Sequence, residues 1–106
     1  MSPTDVKQTI AISSTDTLQK YVGTTATDIG SARIKANQAQ SDAADGSVKI
    51  YDATDATTAS TLVFEAKWGT ADNTEFSVKI PANGIYCDTG MYADLTNCDF
   101  LVVTFD

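Results

Sequence analysis

Ile80-Pro81-Ala82-Asn83-Gly84-Ile85-Tyr86-Cys87-Asp88-Thr89-Gly90-Met91-Tyr92-Ala93-Asp94-Leu95, followed closely by Phe100-Leu101-Val102-Val103-Thr104-Phe105, decides the fold. Short apolar pieces around Ile85-Tyr86 and Met91-Tyr92-Ala93 alternate with glycine turns, and a terminal apolar run follows. Pro81 suits a strand end, where its missing N–H costs nothing, while Gly84 and Gly90 suit turns that need a positive φ. A chain that reverses so often within so few residues builds a small β-sandwich or barrel.

The same rhythm extends towards the N-terminus. After a loose arm, Lys7-Gln8-Thr9-Ile10-Ala11-Ile12 reads as a first strand with Ile10 and Ile12 on one face. Asp16 could cap a helical turn, but Leu18 to Val22 reads better as a strand, with Leu18 and Val22 facing one way. Gly23-Thr24-Thr25 breaks the pattern. A longer strand then covers about Gly30 to Asn37, runs on, and ends in the turn signal Asp45-Gly46, read as a hairpin. Val48 and Ile50 face inwards in the next strand, and Lys49 and Tyr51 outwards.

Past a polar loop, Leu62, Phe64, Ala66 and Trp68 share one face, which makes Trp68 a core residue rather than a platform. Phe76, Val78 and Ile80 line the face of the following strand. About eight short strands at roughly ten-residue spacing, with no crossover helices, predict an all-β fold: a single antiparallel β-sandwich of jelly-roll or Ig-like type. One domain spans residues 1–106, with 1–12 as an N-terminal arm or first strand.

Composition supports β and narrows the partners. Apolar residues make up 42% of the 106, Thr is abundant, and the usual helix-surface formers are scarce. A net charge of −7 and a pI near 4.2 leave no cationic stripe for phosphates, so no nucleic acid is expected as a ligand. No run reaches the ~20 apolar residues of a membrane span, so no membrane is expected either. The start has no basic region leading into an apolar core, so synthesis in a cytoplasm without export is the expectation. Cys87 and Cys98 would close a short loop worth roughly 2–3 kcal/mol if bonded, but two reduced strand thiols are the simpler reading.

Catalysis finds little purchase. The chain has no histidine, which removes the usual neutral-pH base, and its carboxylates are mostly turn-forming Asp. No catalytic residue, cofactor or metal ligand is therefore assigned, and the protein is not expected to be an enzyme. Two thiolates without histidine do not complete a zinc site. Asp42-Ala43-Ala44-Asp45 and Asp52-Ala53-Thr54-Asp55 offer oxygens to a calcium ion but lack the EF-hand loop.

One resemblance adds a function. Gly46-Ser47-Val48-Lys49-Ile50-Tyr51-Asp52, then Thr61-Leu62-Val63-Phe64, Pro81-Ala82-Asn83-Gly84-Ile85 and Thr89-Gly90-Met91-Tyr92-Ala93-Asp94-Leu95, resembles small virion structural proteins of tailed bacteriophages. It covers about Ala32 to Asp106. The resemblance implies a capsid decoration or cement protein on the virion surface, a homo-oligomer (favouring a trimer) bound to the lattice of the major capsid protein. Interface candidates are Val6, Ile10 and Ile12 in the N-terminal segment, with Tyr51, Tyr86 and Tyr92. The alternatives are a carbohydrate-binding or adhesin-like module that stacks sugars on those tyrosines, and a neck or tail component.

Overall fold

The computed structural model describes residues 7–41, 45–69 and 75–106, the side chain of Phe76 excepted. The chain is all-β, and its strands pack as an antiparallel β-sandwich. In order they are β1 (Lys7–Gln8), β2 (Asp16–Thr17), β3 (Gln19–Val22), β4 (Thr25–Asp28), β5 (Ala32–Ser41), β6 (Gly46–Tyr51), β7 (Leu62–Trp68), β8 (Glu75–Lys79), β9 (Ile85–Cys87), β10 (Tyr92–Thr96) and β11 (Cys98–Phe105). The count exceeds eight because the segment before β5 is cut into four short strands.

One sheet runs β1-β11-β5-β8, with β9 continuing β8 along the same side of β5. The other runs β2-β10-β6-β7, and β3 with β4 forms a separate hairpin. Chain crossings tie the layers together. β1 leads to β2 through residues 9–15, β5 to β6 through 42–45, and β7 to β8 through 69–74. β10 reaches β11 through Asn97 alone, at φ 50°. Each of these pairs holds the same place in the two sheet orders, so β7 and β8 share one lateral edge while β1 and β2 share the other.

The core lies between the sheets. Ile34, Ala39, Leu101 and Val103 from the first sheet meet Val48, Ile50 and Ala93 from the second, with Leu18 and Met91 closing one side. Burial of each large aliphatic contributes about 1.5–3 kcal/mol. Val48 and Ile50 face inwards as expected. Asn37 is a polar member of the inward row: it is buried, and its side-chain amide has no hydrogen-bond partner among the described residues, a standing cost.

Bulges explain where simple alternation fails. Opposite β5, Thr104 faces Ala36 and Phe105 faces Ile34, so Lys35 is an extra residue. The inward set therefore shifts from Ala32 and Ile34 to Asn37, Ala39 and Ser41. On β7, Ile50 faces Phe64 but Tyr51 faces Leu62, which makes Val63 the extra residue. Phe64 and Trp68 pack on the core as expected, whereas Leu62 turns outwards and is 46% exposed.

Other expectations need correction. Leu18 is fully buried but Val22 is 58% exposed, because the chain leaves the sheet after Thr17 and β3 pairs with β4 across Gly23-Thr24. Asp45-Gly46 is no hairpin turn; it carries the chain between sheets. Gly46 is needed because a Cβ there would strike the Thr96 carbonyl oxygen and lie 2.6 Å from the Trp68 indole nitrogen. Gly84 takes a positive φ as expected, while Gly90 does not; its constraint is the Ala53 carbonyl oxygen, 3.0 Å from any Cβ. Val78 is half-buried and Ile80 packs on the core, but the Phe76 side chain lies outside the described residues.

The two cysteines are free, buried thiols. Cys87 faces Ala32 and Cys98 faces Ser41, at opposite ends of β5. Such a separation is about 30 Å along a strand, far beyond disulfide reach. Burial pushes the Cys87 thiol up to about 11, helped by the charge of Asp52, and burial also raises Cys98.

Candidate functional site

The outer face of the β2-β10-β6-β7 sheet is ordered in rows. Because Ile50 and Ala93 point into the core, their neighbours Tyr51 and Tyr92 point out. Register sets Tyr92 directly opposite Tyr51, with Thr17 on the far side of Tyr92 and Leu62 on the far side of Tyr51. The result is an aromatic and aliphatic stripe of Tyr92, Tyr51 and Leu62 across β10, β6 and β7, with Thr17 of β2 at its end. The next row reads Asp94, Lys49, Glu65, alternating in sign, and the third reads Thr96, Ser47, Lys67. The Lys67 ammonium is 3.7 Å from the Glu65 carboxylate, an exposed pair that adds little stability.

A carboxylate holds the end of this stripe in place. Asp52 follows Tyr51, and its Oδ2 accepts the Asp88 N–H at 2.9 Å. Its Oδ1 accepts the Thr89 N–H and the Thr89 hydroxyl, both at 2.8 Å, and the Gly90 N–H at 3.4 Å. Partial burial raises the Asp52 pKa, but the hydrogen bonds from Thr89, Asp88 and Gly90 together outweigh it and hold it below the ordinary value. The clasp fixes the turn between β9 and β10 against the end of β6, and so fixes Tyr92 beside Tyr51. Asp55, three residues on, serves only its own loop, accepting the Thr57 hydroxyl at 2.7 Å and the Thr58 N–H at 3.0 Å. Both carboxylates are thus committed to protein donors, and among the described residues no group of three or more His, Cys, Asp or Glu converges on a metal position. Asp42 lies outside the described residues.

Of the candidate interface residues, the structure brings together Tyr51 and Tyr92. Tyr86 lies on the opposite face, across from Arg33 on β5, whose guanidinium sits 5.1 Å from its ring centroid. Tyr86 is half exposed, and its hydroxyl donates to Asp88 Oδ1 at 3.4 Å. The N-terminal segment is a docked strand from Lys7 onwards: Lys7 and Gln8 pair with β11, and Ile12 exchanges hydrogen bonds with Leu101. Ile12 packs against the core and Ile10 is half-buried, with its N–H donating to the Gln19 carbonyl at 2.8 Å. Val6 lies outside the described residues. Leu62 was missed because only the bulge at Val63 turns it out. Tyr21, 64% exposed at the β3–β4 hairpin, was missed with the turn at Gly23, whose φ is 66°.

No family model, no curated protein and no solved structure matches this chain.

Proposed function

We propose that this domain is a structural subunit of a tailed-phage virion, a decoration or cement protein on the capsid surface that binds the major capsid protein lattice. The observation that carries this reading is the Tyr92–Tyr51–Leu62 stripe, bordered by a row of alternating charge and anchored by the Asp52 clasp. Pre-positioned aromatics beside polar groups suit protein recognition, because little side-chain freedom is lost on binding. Many shallow contacts to an assembled lattice would make binding depend on assembly, and bound subunits would stabilise the shell by mass action. Two of the segments on which the resemblance rests meet in the fold, where Asp52 of one accepts the Thr89 and Gly90 N–H groups of the other.

Virions assembled without the protein should lose resistance to heating and osmotic shock, and a Tyr51→Ser, Tyr92→Ser variant should fail to restore it. Equal resistance with and without the protein overturns the cement role. The side-by-side tyrosines also favour a second reading, a sugar-stacking site. A glycan array decides between them: saturable binding lost in the double variant supports the sugar site, and no binding removes it.

A further inference from the structure

The two lateral edges of the sandwich are built differently. At one, β1 and β2 are two residues long, and the β3–β4 hairpin lies beside them through the Ile10–Gln19 hydrogen bond. At the other, β7 over residues 62–67 and β8 over Glu75–Lys79 each have a strand partner on one side only among the described residues. An unpaired edge of this length is a template for another strand.

The charges on this edge select the strand. When a strand pairs antiparallel with a copy of itself, residues on the same face meet at equal distances from a central residue. Centring β7 on Glu65 sets Glu65 opposite itself, and centring it on Lys67 does the same for Lys67. Centring it on Ala66 sets Glu65 opposite Lys67 of a second copy, twice by symmetry, with a small residue on the axis. β8 repeats the pattern around Ser77, with Glu75 and Lys79 two residues to either side, all three exposed. Ala66 lies two residues before the end of β7 and Ser77 two residues after the start of β8. β7 and β8 are the last strands of the two sheet orders on one side, so a second copy related by a twofold axis normal to the sheets meets both.

We infer that this edge is the isologous interface of a homodimer, in which a second copy of the chain continues the sheets across Ala66 and Ser77. Each copy uses this same edge for its partner, so assembly through it stops at two. The inference goes beyond the decoration role and does not depend on it.

Sedimentation equilibrium of the whole chain tests it. The wild type should be a dimer. Lys67→Glu sets Glu opposite Glu at both symmetry-related positions and should weaken dimerisation about tenfold or more. Its own fold is spared, because Lys67 faces Ser47 within the chain and its exposed pair with Glu65 adds little stability. Glu65→Lys should also dissociate the dimer; it faces Lys49 within the chain, so circular dichroism is read alongside. Mixing the two variants should restore a heterodimer of one copy each, a rescue that misfolding does not produce. A wild type that stays monomeric at about 100 µM, a trimer, a dimer unaffected by Lys67→Glu, or a mixture that stays monomeric overturns the inference.

Discussion

Asp52 and Asp55 stand three positions apart in Asp52-Ala53-Thr54-Asp55, are chemically identical, and do different work. Asp52 reaches across 36 to 38 residues of chain to three backbone amides and a hydroxyl. Asp55 reaches two and three residues, to groups in its own exposed loop. Both have lowered pKa values, so both carboxylates are held ionised by their donors. A local bond is remade in the unfolded chain at little cost, whereas a long-range bond exists only in the folded state. Long-range partners, rather than residue type or pKa, should decide which carboxylate matters.

The largest expected effect is Asp52→Ala, which removes four long-range hydrogen bonds from the turn at Asp88, Thr89 and Gly90 and should cost about 1–2 kcal/mol in urea unfolding. A loss comparable to that of Asp55→Ala would erase the distinction. Acid should sharpen it. A lowered folded pKa gives stability that is present above the unfolded value near 3.8 and lost as pH falls through the folded value. The stability gap between wild type and Asp52→Asn should therefore hold at pH 6 and shrink below about pH 4; a gap that does not change with pH would mean that charge is irrelevant to the clasp. Gly90→Ala presses a methyl group to 3.0 Å from the Ala53 carbonyl, inside the clasped turn, and should cost about 1 kcal/mol in the same measurement. The smallest effect is Asp55→Ala, which should leave the thermal midpoint unchanged within error, since its carboxylate is exposed and its bonds are local.

Much of the fold was legible along the chain. Val48 and Ile50 on one strand and Phe64 and Trp68 on the next alternate with polar residues, and burial follows that alternation. Alternation fails at Lys35 and Val63, because a bulge is a property of the pairing with β11 or β6 and leaves no mark in the residues themselves. Leu18 and Val22 parted for a similar reason: the hairpin at Gly23 competes with a continuous strand. Of the candidate surface, the outward direction of Tyr51 could be read from its neighbours. Its pairing with Tyr92, 41 residues away, could not, nor could the placement of Tyr86 on the other face.

Side-chain period, turn residues and charge are local properties, so the residues alone specify an acidic, all-β chain with its strands near the right places. Which strands are neighbours is set only in the folded chain. With that came the stripe across β10, β6 and β7, the 30 Å that separates Cys87 from Cys98 along β5, and the capture of Asp52 by residues 88–90. These depend on register between distant segments, which is set by burying a common core and not by any one segment.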